Sequence, residues 1–139
     1  MANRALVYTI YPNEKQNIQC QKTFGCCRFV YNRMLTVQQD RYKNGEKHLS
    51  KTGSNSYCNQ TLKPDYPFLR EVDKFALTNA IYHLEDGYGR FFKRLSKFPK
   101  YKSKHRSKKS YTTNFTNGNI EVGDGYVKLP KLGRVKAKT

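Results

Sequence analysis

The chain has no tryptophan and two methionines, and its 139 residues carry only ten acidic side chains and three histidines. No run of 18 apolar residues occurs, which excludes a membrane-spanning helix. The opening Met1-Ala2-Asn3-Arg4 lacks the apolar core of a signal peptide. HExxH, GxSxG and glycine-rich phosphate loops are all missing, so no catalytic set emerges and no cofactor is expected in this chain. The cysteines are Cys20, Cys26, Cys27 and Cys58, with no CxxC spacing, and adjacent Cys26 and Cys27 are poorly placed to bond each other. They read as reduced, partly buried and metal-free, with a zinc site as the alternative. Reduced thiols fit a cytoplasmic protein.

What the chain does have is positive charge. Twenty-seven Lys and Arg against ten acids give +17, a strong bias toward a polyanionic partner. The charge is uneven: residues 90–139 carry +13, and residues 1–89 carry +4. Basic residues occupy every second position of Lys100–Lys108, which in an extended chain would line one side at a spacing suited to a phosphate backbone. Arg90, Lys93, Arg94, Lys97 and Lys109 extend this footprint, with a solvated basic linker as the plainer reading. Tyr101 would face the other way, for packing or base stacking.

Arg4–Tyr11 is β-branched and aromatic, hence a strand stopped by Pro12. Asn13 and Gln16 form a capping box that opens a helix bending near Gly25 and ending at Asn44-Gly45. Its apolar face is Phe24, Cys27, Val30, Tyr31, Met34, Leu35 and Tyr42. Arg28 and Asn32 fall four apart on another face, either solvated or touching a ligand. A loop follows from His48, with Ser54 or Asn55 capping a short helix over 56–62. Asp73 caps a third helix with apolar Leu77, Ile81, Leu84, Tyr88, Phe91 and Leu95, an Asp86–Arg90 pair outside, and Pro99 as its stop. Gly87 and Gly89 suggest a close approach or a bend.

Four strands are then expected at Tyr111–Phe115, Asn119–Val122, Tyr126–Leu129 and Arg134–Lys138, separated by Asn/Gly, Asp/Gly and Pro/Gly turns. The first strand cannot stand alone and should pair with these. The organisation is α+β: a strand at 1–12, a helical insertion at 13–98, then the basic segment and remaining strands at 99–139.

Lys22-Thr23-Phe24-Gly25-Cys26-Cys27-Arg28-Phe29-Val30-Tyr31-Asn32, Tyr66-Pro67-Phe68-Leu69, Phe91-Phe92-Lys93-Arg94, Phe98-Pro99-Lys100-Tyr101-Lys102-Ser103-Lys104 and Asp124-Gly125-Tyr126-Val127-Lys128-Leu129-Pro130-Lys131-Leu132-Gly133 together resemble the OrfB/TnpB proteins of insertion sequences. Arg33 departs from the pattern, where relatives often carry an aromatic. The resemblance implies a transposon-encoded, RNA-guided DNA nuclease. Its N-terminal part is often labelled a helix-turn-helix DNA-binding domain and forms a β-barrel-like wedge interrupted by a helical recognition lobe. It implies DNA and guide RNA as partners, with Arg28, Tyr31 and Asn32 joining the basic residues already named. The family's acidic nuclease site and zinc ribbon lie further on, so the expectation here is binding without catalysis. A stand-alone DNA-binding regulator or an inactive transposase remnant is the alternative.

Overall fold

The computed structural model describes residues 5–139, which divide into two compact units. One comprises the residues up to Gln21 with Asn114–Thr139; the other is Lys22–Thr113.

The first unit is a four-stranded antiparallel sheet of β1 (Ile10–Tyr11), β2 (Glu121–Gly123), β3 (Tyr126–Leu129) and β4 (Gly133–Ala137), in the order β1-β4-β3-β2. Ile10 faces Ala137 and Tyr11 faces Lys136, so the N-terminal strand does pair with the C-terminal ones. It is shorter than expected: among the described residues, beyond β1 the Lys138 amide alone reaches back, to the Thr9 carbonyl at 2.9 Å. Arg4, the expected first residue of this strand, lies outside the described residues. Val127 and Val135 are cross-strand partners and fully buried. The sheet is open, a correction to the barrel-like expectation. Its edge strands, β1 and β2, pair on one side only among the described residues, and closure requires every edge to be paired.

The turns follow their sequence chemistry. Gly125 adopts φ 78° in the β2–β3 hairpin, and Asn117-Gly118 are both left-handed, at φ 52° and 70°. Tyr111–Phe115 is not a strand. Side chains take its carbonyls instead: Asn79 donates to Thr112 and Asn119 to Asn114.

Helix α1 (Glu14–Lys43) begins in this unit. The capping box forms as expected: the Asn13 amide donates to Gln16 Oε1 at 3.0 Å and the Gln16 amide to Asn13 Oδ1 at 2.8 Å. Gln16 Nε2 also donates to the Leu132 and Arg134 carbonyls, tying the helix start to the β3–β4 turn. The helix runs unbroken through Gly25 and ends at Lys43, with Gly45 left-handed (φ 72°) in the turn behind it.

The second unit is helical. α2 (Lys51–Tyr57) passes through a π-helical stretch (Cys58–Leu62) into the single turn α3 (Lys63–Asp65); a 3-10 turn (Pro67–Glu71) then leads to α4 (Lys74–Phe92). Val30, Met34 and Leu35 of α1 pack with Leu62, Leu69, Leu77, Ile81 and Leu84 in the core. The α4 face matches its apolar spacing as far as Tyr88. Four expectations shift. Tyr42 is 86% exposed, beyond the core's reach. Ser50, not Ser54 or Asn55, caps α2, its Oγ accepting from the Gly53 amide. Asp86 pairs with Lys51 at 2.7 Å in place of Arg90. α4 stops seven residues before Pro99, at Phe92, because Arg94 turns left-handed (φ 61°) and Leu95, 73% exposed, leaves the helix. The Arg94 amide then bonds the Phe91 carbonyl and the Leu95 amide the Arg90 carbonyl, a Schellman ending. Asp73 caps α4 through the Phe75 amide, as expected.

Candidate nucleic-acid interface

The basic segment lies within the helical unit and is tied down at both ends. At its start, Asn32 on α1 acts as a two-point clamp: its Nδ2 donates to the Lys102 carbonyl at 2.9 Å and its Oδ1 accepts the Lys102 amide at 2.8 Å. The Tyr101 hydroxyl bonds Thr36 Oγ1 at 2.9 Å and donates to Gln39 Oε1 at 3.1 Å. The Lys102 ammonium sits over the Tyr31 ring, 4.4 Å from its centroid. At the far end, Asn79 of α4 donates to the Thr112 carbonyl at 3.0 Å, and Tyr111 meets Phe24 at 6.1 Å between ring centroids.

Between these ties the segment is not the straight comb its alternating sequence suggests. The Ser103 carbonyl accepts from the Arg106 amide and from both the amide and hydroxyl of Ser107, closing a turn. That turn breaks the one-sided alternation of Lys100–Lys108. It encloses a cleft of about 630 Å³ against α1 and α4. Arg28, Lys100, Lys102, Arg106 and Lys108 line it, with His83 and no acidic side chain.

The structure therefore gathers five of the expected binding residues into one concavity. Lys104 and Lys109 lie on the same segment, exposed and outside the cleft lining. Arg90, Lys93, Arg94 and Lys97 are exposed at and beyond the end of α4. Tyr31 and Asn32 are not open contact residues: Tyr31 is 8% exposed beneath Lys102, and the Asn32 amide is spent on the Lys102 backbone. Among the described residues the ion pairs join Arg41 to Glu46, His48 to Glu85, Lys51 to Asp86 and Arg134 to Glu121, so none takes a cation from 90–109.

Burial pushes the Cys27 thiol up to about 12, with Cys26 and Asp73 adding to the shift and Lys102 and Arg28 opposing it. Its Sγ donates to the Ala76 carbonyl at 3.5 Å. A thiol held this way stays protonated and is no nucleophile at neutral pH. Burial likewise raises Tyr31 against the opposing pull of Arg90. Sequence reasoning missed Phe24, Tyr111 and Asn79 as parts of the site. Phe24 falls on the apolar face of α1, Tyr111 in an expected strand, and their meeting is set by tertiary packing alone.

Residues 1–47 match the model of the OrfB IS605 helix-turn-helix domain. Within 5–47 the structure forms β1 and the single helix α1. A protein of Streptomyces pristinaespiralis named as an RNA-guided DNA endonuclease is 31% identical over 92% of this chain. InsQ of Escherichia coli K12, also named as an RNA-guided DNA endonuclease, is 24% identical over 94%. In each case the chain spans 32% of the relative's length. The virulence protein VsdF of Salmonella dublin is 28% identical over 73% of this chain and 94% of its own length. The resemblance read from the sequence is thus a finding: the chain carries a match to the OrfB helix-turn-helix domain at its N-terminus and is similar to RNA-guided DNA endonucleases over most of its length.

Proposed function

We propose that the chain is a nucleic-acid-binding part of an RNA-guided DNA endonuclease, engaging target DNA and guide RNA. The observation that carries this reading is the 90–109 surface: ten Lys and Arg with no acid, all exposed, on a segment tied to α1 at Lys102 and to α4 at Thr112. Such a surface stays unbalanced until a polyanion neutralises it, and counterion release then drives binding. In the same reading the open sheet contributes to the wedge and the helical unit to the recognition lobe.

Binding is expected without cutting. Metal-dependent phosphodiester cleavage needs clustered carboxylates. Glu121 already accepts from the Tyr126 hydroxyl at 2.9 Å, and Asp124 sits in the β2–β3 hairpin loop. The test is anisotropy with labelled duplex DNA and single-stranded RNA across a salt series, alongside incubation with guide, target plasmid and Mg²⁺ or Mn²⁺. The log–log slope is expected to reach several multiples of about −0.9 on duplex and about −0.7 on single strands. A slope near zero refutes the binding. Metal-dependent linearisation lost in Asp124→Ala refutes the absence of cutting.

A stand-alone DNA-binding regulator is the second reading. The stand-alone part of it is supported by VsdF, named as a virulence protein, 94% of whose length this chain covers. Sequence-specific duplex binding without any guide would select it.

A further inference from the structure

The cleft beneath residues 100–112 has a size and a lining that a duplex does not satisfy. At about 630 Å³ it falls in the range of small-ligand pockets. A double helix, whose major groove alone is about 12 Å wide, cannot pass under a segment tied to α1 at Asn32 and to α4 at Asn79. The lining has two chemistries. One is cationic: Arg28 and Arg106 bring planar guanidinium groups and Lys108 a further charge, with no carboxylate to compete. Lys102 is held over the Tyr31 ring. The other is apolar: Phe24 and Tyr111 meet at 59° and continue into Ala76 and Ala80. An inorganic anion would use only the first and a hydrophobic ligand only the second. A nucleotide carries a phosphate and a flat, stackable base, and uses both.

We propose that this cleft takes an unpaired nucleotide of a single strand, its base against the Phe24–Tyr111 wall and its phosphates on Arg28, Arg106 and Lys108. This rests on the nucleic-acid reading above and narrows it from a charged surface to a single-strand site. Stacking on aromatic side chains tolerates any base, so the site holds a strand without reading its sequence.

The test uses the full chain and one oligonucleotide sequence in three forms: single-stranded RNA, single-stranded DNA, and the DNA duplex. The single strands carry a central 2-aminopurine, whose emission is quenched when it stacks. Wild-type protein is expected to quench both single strands, and the tighter of the two identifies the strand type. Tyr111→Leu is expected to weaken single-strand binding roughly 5- to 150-fold, the loss of one stacked base, and to abolish quenching while duplex affinity changes less than about twofold. Equal losses on single strand and duplex, or undiminished quenching, overturn the proposal. Should Tyr111→Leu melt early, Arg106→Gln on the exposed turn reads the same site. It should lower the single-strand salt slope by about 0.7 and leave the duplex slope unchanged; equal changes in both overturn the proposal. Wild-type binding to duplex only overturns the single-strand site and leaves the proposed function standing. No binding to any of the three overturns the proposed function itself.

Discussion

Arg94 shows what one residue contributes. It occupies the left-handed position after α4, φ 61°, where helix endings usually place glycine. An L-residue there costs about 1–2 kcal/mol, part of which a glycine would lose again to the freedom of its unfolded chain. Arg94→Gly is therefore expected to stabilise the chain by about 0.5–1 kcal/mol in urea denaturation. The same variant should reduce the salt slope of duplex binding by up to about 1 if the Arg94 cation meets a phosphate. A variant no more stable than wild type would show that the arginine side chain compensates its backbone. At this scale the sequence was legible in part. Arg28 and Asn32 stand out as polar residues on a helix with an apolar stripe. Asn32's partner, the Lys102 backbone, lies 70 residues away and leaves no local trace.

Elements were readable where their determinants lie within four residues. Asn13 and Gln16 and Asp73 satisfy backbone groups next to them, Gly45 and Gly125 take the left-handed φ their turns need, and each marks a real boundary. Boundaries set by tertiary contacts were not readable. The caps proposed at Ser54 and Asn55 fail because Ser54 is buried in α2 and the Asn55 side chain accepts from Thr78 Oγ1. The expected strand at Tyr111–Phe115 is held by side chains in place of a ladder. Pairing of the distant ends, by contrast, followed from the impossibility of a lone strand. Deleting residues 1–12 removes the Thr9 carbonyl that the Lys138 amide bonds and the β1 partners of Lys136 and Ala137. Amide exchange at Lys138 is expected to accelerate about two- to tenfold, the factor to which a net hydrogen bond of about 0.5–1.4 kcal/mol corresponds. Unchanged exchange would show that β4 does not depend on β1.

For the molecule as a whole, alkaline pH is the sensitive condition. Burial raises Cys27 from 9.0 to about 12, and burial, followed by Glu85, Tyr101 and Tyr31, raises Tyr88 from 10.0 to about 12. Both groups hold their protons longer folded than unfolded, so the folded state binds more protons above pH 9 and stability falls as pH rises. Their contribution is intact below pH 9 and is lost between about 9 and 12. Melting temperature is expected to drop from pH 8 to pH 11, and Cys27→Ala, compared with wild type at each pH, should flatten part of that drop. A profile equally steep in the variant would assign the loss to other groups. The +17 charge made the bias toward polyanions legible from composition, but the cleft depends on the Ser103–Ser107 turn, which the even Lys/Arg alternation conceals. The two tethers of that segment carry a consequence for heat and speed. Ordering a free chain costs about 1–2 kcal/mol per residue, and residues 103–110, fixed between Lys102 and Tyr111, have met that cost on folding. Their ligand meets a preformed surface. Association should then be limited by electrostatically steered diffusion, on the order of 10⁸ M⁻¹s⁻¹ at low salt, with none of the large negative heat-capacity change that accompanies coupled folding.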